Sequence, residues 1–457
     1  MCNFVTTFTQ KQYIMDIKEL YAYYREHPTV TTDSRDCPQG SIFIALKGES
    51  FDGNRFAAQA LDKGCSLAVV DDAQVYDDFI HAGGDPQRMM LVNDSLLTFK
   101  HLAREHRRRF SIPVIGITGT NGKTTTKELV REVLARRYNV MATEGNFNND
   151  VGVPKTLLRL QPEHEIAIVE MGASHPGDIK TLAETAEPTC GLITNVGKAH
   201  LQGFGSLQGV IKTKGELYDF LTKQPQSTIF VNADNPLLGG IVPTAVDTLR
   251  YTQNPSDTTA RVCGTLEACD PFLRLRWRDN NEPGQWHEVA THLIGSYNLD
   301  NVLAAVTVGT HFGVPARDIC QAIADYQPSN NRSQLTTTPH NQLIVDAYNA
   351  NPTYMAAALK NFELMQVSPK MAILGEMREL GESSSEEHRR IIEMLGQCHF
   401  DQVWLVGDEF ANIECPYRKF HDVEQVKAAI DEQRPEGYYI LVKGSNGTRL
   451  FQLPQCL

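Results

Sequence analysis

Between positions 114 and 130 the chain reads VIGITGTNGKTTTKELV. A β-branched apolar run leads into Gly119, Thr120, Asn121, Gly122, Lys123, Thr124 and Thr125, and a helical pattern follows. Backbone N–H groups in such a loop, backed by a helix N-terminus, form an anion site. Lys123 can reach terminal phosphates, and the Thr124 hydroxyl can ligate Mg²⁺. The spacing departs from the usual G-x-x-x-x-G-K-S/T, since position 117 is Ile and Gly119 stands three before Gly122. A chance glycine turn is the alternative. Strand before, helix after and GKT in register favour a nucleoside triphosphate. Such loops serve motors, switches, kinases and ligases, so other residues must decide among them.

Three further stretches carry chemistry. In EIAIVEMG an apolar run delivers Glu170 to a strand's C-terminal end, the edge where open α/β sheets bind ligands. A carboxylate there is a natural Mg²⁺ partner, against the alternative of a strand-end glutamate facing water. ITNVGKAHLQGFGS brings Asn195 and His200 to the same edge. A lone histidine is more often structural than a ligand, and its position leaves both readings open. VIKTKGELYDFL holds Lys212 and Lys214, which by themselves read as two solvated lysines.

The elements that must position these residues follow an α/β pattern. The first 110 residues alternate short apolar runs (SIFIAL, SLAVV, RMMLV) with helical stretches, as in a small α/β domain. HRRR at 106–109 reads as a solvated helix end, where cations suit the C-terminal dipole. From 112 the runs PVIGIT, EIAIVEMG, CGLITNVG and TIFVNADN are short and β-branched, as buried parallel strands are. The segment 245–292 alternates and is expected to form an antiparallel patch. After about 313 strand-like runs (QLIVDAY, MAILGEM, QVWLVGDE, YYILVKGS) alternate with helical ones, in the doubly wound manner. The expected fold is α/β in three domains: 1–110, a central phosphate-loop domain with a mostly parallel sheet at 111–312, and a Rossmann-like domain at 313–457. A hinge is expected around GTHFGVP, residues 309–315.

Composition agrees. A chain of 457 residues suits about three domains. Its net charge of −12 argues against general nucleic-acid or membrane-surface binding while allowing local cationic sites. The ten cysteines lack a CxxC pair, so reduced thiols are expected rather than zinc or disulfides. No run approaches the ~18 apolar residues needed to span a bilayer. The N-terminus shows no basic start followed by an apolar run, so a cytoplasmic protein is expected. Met15 is an alternative start, with the first fourteen residues an extension. A monomer is the default expectation.

TGTNGKTTT, EGNFNNDVGVP, VEMG, ITNVGKAHL and KTKGE together resemble the Mur ligases, which build the peptide of the bacterial cell-wall precursor. The resemblance runs across nearly the whole chain. TTDSRDCPQGSIFIALKGESFDGNRFAAQAL, DAYNANPTYMAAAL and AILGEMRELGESSSEEHRRI are similar to the branch that joins D-alanyl-D-alanine to UDP-N-acetylmuramoyl-tripeptide. A DNPR-type motif, usual in the diaminopimelate-adding branch, is absent from the sequence. The resemblance implies ATP and Mg²⁺ as cofactors, with Lys123 on the β- and γ-phosphates. It places Thr124 and Glu170 on one Mg²⁺, and His200 on a second. Lys214 matches a lysine that family members carboxylate with CO₂, giving an oxygen ligand of the kind hard Mg²⁺ prefers. For that the amine must be neutral, so burial or a nearby cation should lower its pKa from about 10.4.

The same resemblance places Asn298 and Asn301 beside adenine, with Tyr297 where the family usually has His. It puts Asp346 near the ribose and Arg332 on the ATP phosphates, reaching from the third domain. Ser34 and Arg35 would touch the uridine nucleotide, Asn146 and Asn149 the muramoyl part, and Asn349 and Asn351 the dipeptide. Two rivals remain. A folylpolyglutamate synthase is disfavoured by the long region before the loop. A switch or motor ATPase predicts hydrolysis with no amine acceptor.

Overall fold

The computed structural model describes residues 16–48, 50–282, 284–328 and 334–457. The expected extension of the first fourteen residues and the candidate Arg332 lie outside the described residues. The chain divides into two compact units. One runs to Ser111 and adds Glu144–Pro162 and Thr185–Glu187; the other holds Ile112–Thr143, Glu163–Glu184 and Pro188–Leu457.

In the first unit Val30–Thr31, Ile42–Ile44, Leu67–Val70 and Met89–Leu91 form a parallel sheet. The two inner strands are buried throughout, as apolar β-branched runs require. Phe43, Ala57, Leu61 and Val70 share its core. The HRRR run departs from its expected solvation. His106 and Arg107 are buried at the end of helix Ser95–Arg107. The Arg107 guanidinium donates to the carbonyls of Phe110 (2.7 Å), Ala186 (3.0 Å) and Glu187 (3.1 Å). Its fork satisfies chain-end carbonyls that a water-facing cation would leave to solvent.

The second unit contains two sheets. In the larger, Val114–Thr118 lies between Ile166–Glu170 and Cys190–Ile193, parallel to both. Thr228–Asn232 and Asp247–Thr252 continue it in parallel, and Val262–Cys269, Phe272–Asp279 and His287–Ile294 extend it. The last three pair antiparallel, as the alternating pattern predicts. Asp247–Thr252 does not join them in that sense: it runs parallel to Thr228–Asn232, so the antiparallel patch begins later than expected. A crossover through Pro236–Gly239 returns the chain to the same end of the sheet.

The smaller sheet has Gln342–Asp346, Tyr439–Lys443, Lys370–Gly375, Gln402–Val406 and Arg418–Phe420 parallel in that order. Gln334–Thr337 adds an antiparallel edge. Helices Pro352–Leu364 and Ser384–Leu395 pack on one face and Val423–Glu432 on the other, so the sheet is doubly wound.

The switch between the two sheets lies later than the sequence suggests. Helix Ala316–Asp325 buries Ile319, Ala322 and Ile323 in the core of the larger sheet with Val133, Leu134 and Trp277. Each buried isoleucine contributes roughly 1.5–3 kcal/mol. The turn before it is tied as well, for the Tyr138 hydroxyl donates to Phe312 O at 2.7 Å. Residues 309–315 are therefore packed structure rather than a hinge. The last helix of the larger sheet ends at Asp325, and 329–333 lie outside the described residues.

Candidate active site

The site grows from the carboxyl edge of the larger sheet. Strand Val114–Thr118 ends in the glycine loop, and helix Lys123–Leu134 starts at once. Gly122 caps that helix at φ +76°, the left-handed region that favours glycine. A Cβ at Gly119 would land on the Thr194 hydroxyl and one at Gly122 on the Asn301 amide. The loop is thus held closely on both sides. Thr120 N donates to Asn195 O (2.9 Å), Asn121 N to Asn195 Oδ1 (3.0 Å), and Gly197 N to Thr120 Oγ1 (2.9 Å). Asn195, expected only as a strand-end residue, shapes the loop. Thr125 is half-buried on the helix's first turn.

Lys123 folds back on the loop, donating to Gly119 O at 2.8 Å and Thr120 O at 3.1 Å. Thr124 Oγ1 donates to Glu170 Oε1 at 3.1 Å, and both residues are buried. Glu170 sits in register with Ile117 of the neighbouring strand, which delivers its carboxylate to the loop's flank. A hydroxyl and a carboxylate, hard oxygen donors beside an anion loop, fit Mg²⁺. Among the described residues no three His, Cys, Asp or Glu side chains gather as metal ligands.

Lys214 lies in helix Leu207–Leu221 and is 2% exposed. Burial first, and the charge of Lys123 second, push its pKa well below the ordinary lysine value. Both causes were anticipated from the sequence, and Lys212 is the exposed neighbour. His200 stands in left-handed backbone (φ +49°), where its Nδ1 pairs with the Glu379 carboxylate from the smaller sheet. That pairing lowers the Glu379 pKa.

Asn298 and Asn301, expected beside adenine, form a buried chain. Asn298 Nδ2 donates to Ile294 O (2.8 Å), Asn301 Nδ2 to Asn298 Oδ1 (2.8 Å), and Thr126 Oγ1 to Asn301 Oδ1 (3.0 Å). They couple helix Asn298–His311 to the phosphate loop. The Tyr297 ring lies 5.5 Å from that of Tyr354. Asp346 is buried and ion-paired with Lys443 at 2.5 Å. Asn351 caps helix Pro352–Leu364 and donates to Asn121 Oδ1 at 2.6 Å, so its amide closes on the phosphate loop. Asn349 is exposed. Ser34, Arg35, Asn146 and Asn149 all fall in the first unit. Arg35 forks onto Asp33 (2.9 and 2.7 Å), and Asn149 Oδ1 accepts from Gly152 N at 2.9 Å.

Several residues escaped the sequence reading. Lys198 pairs with the buried Glu387 at 2.7 Å, and Lys443 is fully buried. A cavity of about 270 Å³ opens at the carboxyl ends of four strands of the smaller sheet. Glu376, Arg378, Gly407, His421, Thr448 and Arg449 line it. Glu376 and Gly407 lie near the ends of the runs MAILGEM and QVWLVGDE, the edge where doubly wound sheets take ligands, while no run singled out in the sequence leads to His421.

Three family descriptions match the chain: the Mur ligase family catalytic domain over 28–104, the Mur ligase middle domain over 117–309, and the Mur ligase glutamate ligase domain over 331–446. The UDP-N-acetylmuramoyl-tripeptide--D-alanyl-D-alanine ligase of Bacillus subtilis is 31% identical over 93% of this chain and 92% of its own. The ligase of that name from Synechocystis is 34% identical over 92% of this chain and 90% of its own. Among solved structures, MurF from Acinetobacter baumannii superposes with a TM-score of 0.82 at 29% identity, covering 93% of this chain and 92% of its own. MurF ligase from Thermotoga maritima in complex with ADP gives 0.81 at 26%, covering 94% and 96%.

Proposed function

The chain belongs to the Mur ligase family, and from that premise we propose that it joins D-alanyl-D-alanine to UDP-N-acetylmuramoyl-tripeptide at the expense of ATP. The observation that carries this reading is the phosphate loop braced by Glu170 on one side and the Asn195–His200 segment on the other, with Lys214 buried beside Lys123.

ATP activates a carboxylate. The tripeptide's terminal carboxylate oxygen attacks the γ-phosphorus, the bond to ADP breaks, and an acyl phosphate forms. The dipeptide amine attacks the acyl carbon, loses a proton, and expels inorganic phosphate as the amide forms. Phosphoryl transfer calls mainly for positioning and charge stabilisation. Lys123 supplies a cation at the loop, and Arg332 is assigned a second on the ATP phosphates. Mg²⁺, when bound, neutralises charge on the phosphate oxygens. Thr124 and Glu170 are the residues to hold one ion, and His200 and Lys214 a second.

For Lys214 we assign a carbamate: its neutral amine adds to CO₂, a C–N bond forms, and a proton leaves. Its burial beside Lys123 favours the neutral amine that this step requires. Asn298 and Asn301 hold the adenine side, Asp346 lies near the ribose, and Ser34, Arg35, Asn146 and Asn149 take the uridine nucleotide and muramoyl part. Asn349 stays with the dipeptide, and Asn351 acts through the loop it closes. The dipeptide's own pocket is the cavity bearing Arg378, Arg449 and Glu376, whose opposite charges match a zwitterion. The domain division is kept with the second boundary moved past Asp325. We take the protein as a cytoplasmic monomer. Among the described residues no helix is long and apolar enough to cross a membrane.

The test is phosphate release from ATP with Mg²⁺ and UDP-N-acetylmuramoyl-tripeptide, run with the lysine and the diaminopimelate forms. Release should depend on D-alanyl-D-alanine, with the pentapeptide found by mass. Release indifferent to both substrates would instead indicate a switch or motor ATPase.

A further inference from the structure

One short turn joins the two halves of the proposed chemistry. Residues 376–381 follow strand Lys370–Gly375. Arg378 and Glu376 line the dipeptide cavity, while Glu379 pairs with His200. Adjacent side chains thus serve opposite sides of the turn, so its backbone geometry sets both. That backbone is not relaxed. Glu379 (φ +62°) is left-handed, a region an L side chain adopts only at a cost, whereas Gly381 (φ +56°) occupies it freely. Something must hold the turn in place.

His388 does so from helix Ser384–Leu395. Its side chain is fully buried, edge-on to the Phe410 ring at 4.7 Å. Nε2 accepts from Met377 N at 2.9 Å, and Nδ1 lies 2.8 Å from Ser384 O. A backbone carbonyl only accepts and a backbone N–H only donates. The pair therefore requires one tautomer, with the hydrogen on Nδ1 and the lone pair on Nε2. A protonated ring has no lone pair for Met377. Burial holds the pKa of this ring below the usual histidine value, in keeping with the neutral form. Ser445 Oγ, donating to Glu376 O at 2.8 Å, ties the turn on its other side.

We propose that His388 is a positioning residue for the ligation: through its bond to Met377 N it fixes the 376–381 turn, and with it Arg378 at the dipeptide pocket and Glu379 at His200. The inference rests on the ligase reading and on the pocket assigned above. His388 touches no substrate and acts through the turn alone.

Asparagine and glutamine separate its two bonds. A glutamine oxygen can reach the place of Nε2 and accept from Met377 N; an asparagine amide can replace Nδ1 and serve only Ser384 O. The experiment is steady-state kinetics of the full chain with D-alanyl-D-alanine varied at saturating ATP and tripeptide, for wild type, His388→Gln, His388→Asn and His388→Phe. Thermal unfolding is measured alongside. We expect His388→Gln to keep the dipeptide KM within about twofold. We expect His388→Asn and His388→Phe to raise it about tenfold, the scale of one buried unsatisfied N–H, with the KM for ATP little changed. Should His388→Phe fail to fold, the glutamine–asparagine contrast decides alone. Equal dipeptide KM values for those two variants, or losses that follow only the unfolding temperature, would overturn the inference. A wild type making no dipeptide-dependent amide would overturn the ligase reading instead.

Discussion

Lys214 concentrates the chemistry at the residue scale. A lysine buried beside another lysine is unfavourable as a cation, and a carbamate would turn that liability into an oxygen ligand. Lys214→Ala should therefore lower kcat by about a hundredfold or more, in the range of losing one preorganised charge-stabilising group. Lys214→Glu should regain part of it. A fully active Lys214→Ala in a coupled phosphate assay would contradict the carbamate. At Gly122, a side chain would meet both a left-handed φ and the Asn301 amide. Gly122→Ala should weaken ATP binding severely by calorimetry, and unchanged affinity would mean the loop is not the phosphate cradle. Gly122, Lys123, Thr124 and Glu170 were legible because their chemistry is local: glycine, lysine and threonine adjacent, or a carboxylate ending a strand; Lys214 by itself read as a solvated lysine, and only the resemblance singled it out. Lys443 and Glu387 were not. Their partners lie 97 and 189 positions away, and no periodicity reveals such pairs.

At the scale of elements, helix Asn298–His311 is buried along almost its whole length and packs on helix Lys123–Leu134. Gly309 permits this approach, since a Cβ there would press on Val133 and Ile319. Gly309→Leu should destabilise the fold by about 1–3 kcal/mol in denaturant titration, as overpacking does. A neutral effect would mean the helices have room to separate. Strand and helix alternation was readable because buried parallel strands are short β-branched runs. The sense of Asp247–Thr252 was not, because alternating residues mark a half-buried strand whichever way its neighbour runs. Arg107 misled for a related reason: charge in a sequence reads as exposure until a set of carbonyls appears around it.

Across the second unit as a whole, the smaller sheet meets the phosphate loop through polar pairs: Asn351 with Asn121, Glu387 with Lys198, Glu379 with His200. Polar contacts of this kind separate at less cost than an apolar seam, although Ile294 and Phe272 of the larger sheet also pack in the smaller sheet's core. The smaller-sheet domain is expected to open and close on the larger sheet, with 309–315 held in the larger sheet's packing. Scattering profiles of the free protein and of the fully liganded protein should therefore differ, and superimposable profiles would contradict closure. The three-part organisation was legible from strand–helix alternation, but the boundary was not, because Ala316–Asp325 is an ordinary amphipathic helix that either sheet could have claimed. The claim on which the rest depends is that the tripeptide carboxylate is activated as an acyl phosphate. It is tested most directly by labelling that carboxylate with ¹⁸O, running the ligation, and weighing the released inorganic phosphate. One ¹⁸O is expected in each phosphate formed. Amide formation with unlabelled phosphate would contradict it.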